Sequence, residues 1–469
     1  MTLRRSLWLV CLVATLHGLF FIWYQRPDWS TQWSDQDGYR RLGQVLAATG
    51  QFTRFPEAPR FVPEVIRTPA YPLFVAAIYR VFGVHQLAVA LVQTGLFAAI
   101  CALVFAIGRR VASDRIALGA AVLTALYSPL PYFGALVLTE VWTTFLFSVA
   151  MWLTVGAFFK RRTTGLALAG VVLALTALSR PVFVLFPIAL AAVGLIVLPL
   201  ARVRARPSLL QWTVMLAMFG ITMLPWFAYN YRTLGVVTMS PAGGIGRAIW
   251  EGSWQAAWSG RLQNELTHLA DDIDDRAELD RRVAEVADRE RLSAGPMLEY
   301  VHQWEDIRRI WTEPVDSSER ARARVIADRE YLRVGLDNIR HDPLGHLVWR
   351  LARGVFVLWA GEIPFRYSEI NRLPPVVTRV CWAIQALLLA LALAGAVSLL
   401  KAGRVAAAVL LTAPIAYVTA VHFVLLTEAR QSLPAMPLVL LLAAAGIAQR
   451  TRGPRSLALE PQVHEREHL

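Results

Sequence analysis

The chain has 469 residues, of which 56% are hydrophobic and 17% charged, with a formal net charge of +13 and a mean hydropathy of +0.45. That is more apolar surface than a water-soluble fold of this length can hide, so a soluble enzyme, a disordered chain and a fibrous repeat are excluded in favour of a polytopic membrane protein. Lys160 and Lys401 are the only lysines; the segment 228–376 holds 20 arginines against 23 acidic residues, whereas the other 320 residues carry 27 basic against 11 acidic side chains.

In chain order, ten apolar runs are long enough to cross a bilayer: 7–24, 87–108, 116–134, 138–159, 164–179, 182–200, 209–227, 376–400, 405–426 and 433–448. The first follows Arg4 and Arg5, ends at Trp23 and Tyr24, and has no small-residue cleavage site after it, which predicts a retained signal anchor. Cys11, Cys101 and Cys381 lie in apolar runs without metal-type spacing and read as small buried hydrophobes.

Short connections rich in Arg or Lys mark the cytoplasmic side. Five of them agree: Arg109, Arg110 and Arg115; Lys160, Arg161 and Arg162; Arg202, Arg204 and Arg206; Lys401 and Arg404; Arg450, Arg452 and Arg455. Both termini are then cytoplasmic. The first loop, with Arg26, Arg40, Arg41, Arg54, Arg60 and Arg67, carries the opposite signal for the first span, and the five later clusters outweigh it. The apolar stretches 69–84 and 347–361 are short and interrupted by Arg80, or by Arg350 and Arg353, which predicts helices lying along the membrane surface.

This reading divides the chain into four parts. Residues 1–252 form a transmembrane module including a first outer loop at 25–86. An outer helical segment, 228–375, shows helical periodicity at Leu279–Arg291 and Ala321–Leu336. The final spans occupy 376–448, and 449–469 forms a cytoplasmic tail. Basic clusters between spans, with no basic aromatic stripe, argue against a nucleic-acid partner.

In the first loop, Trp33 to Gly50 reads as an amphipathic helix on which Asp35 and Tyr39 share a face. Ser34 or Asp35 suits a helix cap; alternatively, a carboxylate just outside the bilayer, among apolar walls, suits a general base. Arg67 to Phe74 reads as a proline-marked junction into an apolar helix, where Arg67 could meet a lipid phosphate. Glu140 follows Thr139 at the outer mouth of the fourth span, and Arg180 precedes Pro181 between the fifth and sixth. Ionisable groups at such depths are costly unless paired with each other, a ligand or water. Asp35, Asp37, Arg67, Glu140, Arg180, Arg232, Glu428 and Arg430 all fall on the outer side, and one shared polar cavity would account for them. Other motifs carry less. Gly243, Gly244 and Gly246 look like a phosphate loop without its strand or its Lys, and Asp271 to Asp275 read as a solvated acidic stretch. His17, His341, His346 and His422 lack zinc-ligand partners.

The order of Asp35 to Tyr39, Arg67 through Pro72, Thr139 with Glu140, Ser179 to Pro181, Pro225 and Trp226 with Asn230 and Tyr231, and Ser240 to Gly252 resembles bacterial GT-C membrane glycosyltransferases. The likeness is to the protein mannosyltransferase and aminoarabinose transferase group, glycosyltransferase family 39 and its neighbours. It returns at Arg430 to Pro437. The resemblance implies an all-α GT-C fold in a bacterial inner membrane and transfer of a sugar, with inversion, from a polyprenyl-phosphate carrier to an acceptor hydroxyl on the outer face. The acceptor would be a glycan, lipid or protein. By the same resemblance Asp35 is the base, with Asp37 the neighbour that could replace it, since Gln36 intervenes where relatives have two adjacent acids.

Glu140 would then hold sugar or acceptor hydroxyls, or tune Asp35. Arg67, Arg180, Arg232 and Arg430 would meet the lipid phosphate, with Tyr39 and Tyr71 completing the substrate-binding set. A divalent metal could sit between Asp35, Asp37 and Glu140; because arginine can supply the same charge, no cofactor is expected. Two rival readings remain open from sequence: a transporter or flippase of a lipid-linked sugar, and a scaffold that binds polyprenyl phosphate.

Overall fold

The computed structural model describes residues 2–452 apart from 27, 28, 30–33, 204, 205, 243, 313–317 and 362–373. Trp33, Arg204, Gly243 and nearly all of the 449–469 tail therefore lie outside the described residues. Every described element is helical.

Among the described residues, seven helices are long and apolar enough to cross a bilayer: Leu3–Gln25, Gln86–Val111, Glu140–Lys160, Pro181–Leu200, Leu209–Leu234, Pro375–Lys401 and Ala429–Gln449. The other three expected spans coincide with shorter helices. Thr163–Ala177 and Val405–Val421 are single helices, whereas 116–134 is divided into Asp114–Ala125 and Pro129–Gly134. Prolines 129 and 131 explain the division, because a residue before proline is pushed out of the helical region and proline offers no amide donor.

Proline also shapes the sixth span. It opens as a 3-10 turn at Pro181–Phe183, becomes α-helical at Phe186–Ala192 and passes through a π segment at Val193–Val197. The seventh extends past its expected end, from a capping box at Ser208 and Gln211 to Leu234, and thereby lifts Asn230 and Arg232 beyond the apolar run. Small residues let the last helices meet closely: a Cβ at Gly395 would strike the Leu442 carbonyl, and one at Gly446 the Leu391 carbonyl.

The bundle has two chemically distinct ends. At one, Arg404 Nη1 donates to Val111 O at 2.9 Å, Gln211 Nε2 donates to Arg161 O at 2.8 Å, and Arg109 pairs with Asp114 at 2.7 Å. The basic connections thus gather together. Helix Glu140–Lys160 runs from this basic end to the other, where Glu140, Arg180 and Arg430 meet.

Outside the bundle, the first loop forms helix Ser34–Thr49, and Ala70–Phe82 packs against it. The second long segment between spans folds as Ile245–Trp254, Gly260–Asp272, Arg276–Glu290, Ala294–Thr312, Ser318–His341 and a helical run from Pro343 to Gly361. Both helices expected there, around 279–291 and 321–336, are present, the first as Arg276–Glu290, which ends one residue short of Arg291, and the second within Ser318–His341. Its apolar core is aromatic: Trp250 stacks on Tyr300 with centroids 5.6 Å apart, and Trp254 on Trp258 at 5.2 Å.

Candidate active site

The site is assembled from connectors at the end of the bundle opposite the basic clusters. In the first turn of helix Ser34–Thr49, successive residues point about 100° apart, so Asp35, Gln36 and Asp37 cannot share a direction. Gln36 turns inward, wholly buried, and its Oε1 accepts from Val137 N at 2.7 Å and Gln86 Nε2 at 2.8 Å. This anchor ties the first-loop helix to the connector that leads into Glu140. Asp35 then faces the bundle, whereas Asp37 faces outward, 59% exposed and paired with Arg40 at 3.2 Å.

Asp35 sits between two arginines. Arg430 Nη1 and Nη2 each lie 3.3 Å from its Oδ2, and Arg67 Nη2 lies 3.8 Å from its Oδ1 and 3.3 Å from its backbone oxygen. Glu140 is 1% exposed and pairs with Arg180 at 2.6 Å and Arg430 at 3.8 Å. Arg430 also holds Glu428 at 2.7 Å. Arg180 donates from Nε to Thr139 Oγ1 at 2.9 Å, which fixes the plane of its guanidinium. Three carboxylates and three guanidiniums thus share one cluster. Of these acids Asp35, at 46% exposed, is the one a substrate can approach most readily; Glu428 is 30% exposed and Glu140 1%.

Two buried groups in the cluster remain unsatisfied: Arg67 Nε, a donor, and Glu140 Oε2, an acceptor. Buried polar atoms are ordinarily hydrogen-bonded, so these two atoms have capacity for a further polar partner. Tyr39 and Tyr71 line the same wall. Arg67 lies 4.8 Å from the Tyr39 ring, Tyr39 meets Tyr71 edge to face at 5.1 Å, and Tyr71 donates to Gln93 Oε1 at 3.1 Å. Burial pushes the Tyr39 phenol up to about 12, so it remains a proton donor at neutral pH. Gln93 in turn donates to Gly134 O at 2.9 Å and Leu136 O at 2.7 Å, bracing the approach to Glu140 from a second side.

Of the residues nominated from sequence, Asp35, Arg67, Glu140, Arg180, Glu428 and Arg430 come together, with Tyr39 and Tyr71 beside them. Asp37 and Arg232 stand apart from that ion-paired cluster, Arg232 as an exposed residue in the last turn of its helix. Two charged residues were missed. Arg247 pairs with Glu251 at 2.9 Å on helix Ile245–Trp254. Burial holds the Glu251 carboxyl above its usual range against the pull of Arg247, with the charges of Glu428 and Asp35 adding to the effect. Their four-residue spacing was a readable helical ion pair, but its place beside the cluster depends on how the segment from Ile245 to Gly361 docks.

The glycine-rich stretch has a structural use. Asp328 accepts from Gly246 N at 3.2 Å and Arg247 N at 3.1 Å, so the amides that could cradle a phosphate serve the chain's own carboxylate. In the acidic run, Asp275 Oδ1 caps helix Arg276–Glu290 and Asp274 pairs with Arg308 at 3.0 Å.

Comparison with known proteins accords with this architecture. Residues 66–226 match the family described as dolichyl-phosphate-mannose-protein mannosyltransferase, the stretch that contains Arg67, Tyr71, Glu140 and Arg180. Among solved structures the chain is similar to the archaeal oligosaccharyltransferase AglB from Archaeoglobus fulgidus in complex with an inhibitory peptide and a dolichol-phosphate, with a TM-score of 0.54 and 15% identity over 96% of this chain and 50% of that one. The apo form of the Archaeoglobus fulgidus oligosaccharyltransferase gives 0.54 and 15% over 96% and 51%. ArnT from Cupriavidus metallidurans bound to undecaprenyl phosphate aligns at a TM-score of 0.38 and 14% identity over 90% and 73%. The chain spans about half the length of the archaeal structures. No curated protein matches it. The resemblance read from the sequence is borne out, and so is the expectation of an all-helical GT-C fold.

Proposed function

We propose that this chain is a membrane glycosyltransferase that moves a sugar from a polyprenyl-phosphate carrier to an acceptor hydroxyl, with inversion, on the outer face of the membrane. The observation that carries the reading is the convergence of Asp35, Glu140, Arg67, Arg180 and Arg430 at the bundle end opposite the basic connections. Positive-inside topology supports an outward-facing site.

In this mechanism the acceptor oxygen attacks the anomeric carbon from the face opposite the phosphate, and Asp35 takes the hydroxyl proton as the new bond forms. A positioned carboxylate typically contributes ~10²- to 10⁴-fold in such a step. The bond from the anomeric carbon to the phosphate oxygen breaks, and its electron pair stays on the lipid phosphate. Preorganised arginines stabilise that developing charge. Arg67 is suited to it by its unsatisfied Nε, and Arg430 by lying between Asp35 and Glu140. Glu140 Oε2 is free to accept a sugar or acceptor hydroxyl.

The test incubates purified protein with defined polyprenyl-phosphate sugars and cell-envelope extract, followed by mass spectrometry of glycosylated products. The reading predicts a new glycoside that requires one of these donors. Failure across the donor series, together with movement of a lipid-linked sugar between leaflets of reconstituted vesicles, would replace it with a transport function.

A further inference from the structure

Arg350 is buried more completely than any arginine of the cluster. It is 1% exposed, and its partners among the described residues are neutral. Nη1 donates to Thr427 Oγ1 at 2.6 Å, His422 O at 3.3 Å and Gln255 Oε1 at 3.4 Å; Nη2 donates to Gly252 O at 2.8 Å, and Nε to the His346 ring at 3.3 Å. Burial pulls its guanidinium down to about 10, which still leaves a cation at neutral pH. Removing a cation from water is expensive, and this chain does it without an opposing carboxylate in that contact set.

The contacts join three separate pieces of chain. Arg350 stands on the helical run from Pro343, where the backbone widens into a π turn over Arg350–Gly354. Gly252 and Gln255 belong to helix Ile245–Trp254 and its end. His422 and Thr427 belong to the connector before the last span. Gln255 closes the same knot, since its Nε2 donates to Thr427 O and its Oε1 accepts from Thr427 N, both at 3.0 Å. Leu426 N donates to Ala248 O at 2.8 Å. The residue after Thr427 is Glu428, which grips Arg430, and Arg430 grips Asp35.

We propose that Arg350 is a positioning residue for glycosyl transfer: it clamps Thr427 from behind so that Glu428 holds Arg430 against Asp35 and Glu140. This rests on the reading of the cluster as a transfer site. Arg350 itself touches neither substrate nor reacting atoms. It couples the outer segment to the cluster, so that the reactive geometry is complete only when that segment is docked. Displacements of about 1 Å in such geometry can cost on the order of 10²-fold in rate.

The test compares wild-type, Arg350→Met, Arg350→Lys, Thr427→Val and Arg350→Met/Thr427→Val full-length proteins, with kcat and donor KM measured beside amide hydrogen exchange across 421–431. The expected result for Arg350→Met is a fall in kcat of about tenfold or more with donor KM within about threefold, as for lost positioning rather than lost binding. Arg350→Lys recovers part of the rate. Thr427→Val lowers kcat severalfold, and the double variant is no slower than Arg350→Met alone, because both act through one contact. Exchange across 421–431 quickens in each variant.

Unchanged kcat in Thr427→Val, or losses that multiply in the double variant, would overturn the proposal; if Arg350→Met does not fold, Thr427→Val and Arg350→Lys decide it. If the wild-type protein transfers no sugar, the functional reading fails by itself. The exchange comparison then decides the clamp: quickening confined to 421–431 upholds it, and unchanged exchange refutes it.

Discussion

Arg430 and Asp35 are 395 residues apart in the chain, yet both terminal nitrogens of the guanidinium lie 3.3 Å from one carboxylate oxygen. The contact joins the first turn of the first-loop helix to the 3-10 turn that leads into the last span. One arginine thereby reaches Asp35, Glu140 and Glu428 together.

The backbone beside Asp35 leaves no room for a methyl group. A Cβ at Gly38 would run into the guanidinium of Arg67, the mobile end of a long side chain. Gly38→Ala should therefore displace Arg67 from Asp35 and Tyr39 while the helix itself gains propensity. The expected outcome is a transfer rate at least about tenfold lower with a melting temperature equal to or above that of the wild type, measured on the same detergent-purified samples.

Glu140 and Arg180 form a pair with little water around it. Arg180→Met leaves the buried Glu140 carboxylate with Arg430 alone, at 3.8 Å, and should cost up to ~3 kcal/mol, whereas Arg180→Met with Glu140→Gln should restore part of that loss. Thermal or denaturant unfolding checks the difference. Transfer should be lost in both proteins, which separates the structural part of the pair from its chemical part.

Arg67 is presented by a loop that depends on Glu64, a buried carboxylate paired with Arg54 and accepting from Ile66 N at 2.8 Å and Arg67 N at 3.2 Å. Burial pushes this carboxyl up, but the Arg54 and Arg67 charges and the Ile66 amide outweigh it and hold it below its ordinary value of 4.5. Because the folded form binds its proton more weakly than the unfolded form, the stabilisation is fully present above 4.5 and is lost as pH falls through the depressed value. Glu64→Gln should thus be less stable than wild type at neutral pH, with the gap closing below pH 4.5. Unfolding free energies across that range give the check.

Hydropathy made legible the seven helices long and apolar enough to cross a bilayer, and the basic connections sorted the chain into two ends, because both signals are local and cumulative. Asp35, Arg67, Glu140, Arg180 and Arg430 could be grouped before their geometry was known, since each is an ionisable residue at the same mouth of the bundle. The helix carrying Asp35 and Asp37 was readable, and on it two residues turn a side chain through about 200°; which of the two faces the bundle is set by the contacts of Gln36 with Val137 and Gln86. Arg232 is carried away from the ion-paired cluster by extra turns on its helix that hydropathy does not register. Arg247, Glu251 and Arg350 were visible only as charges on amphipathic helices. Their positions depend on contacts such as Arg350 with Thr427, between residues 77 apart, for which no local pattern exists.

The most direct measurement is sugar transfer by Asp35→Asn beside Asp37→Asn, with binding of the polyprenyl-phosphate donor measured on both proteins. For Asp35→Asn the turnover should fall by ~10²- to 10⁴-fold while donor binding persists; for Asp37→Asn, whose carboxylate faces Arg40, it should change by less than about threefold. Undiminished transfer by a folded Asp35→Asn protein would contradict the assignment of this carboxylate as the base.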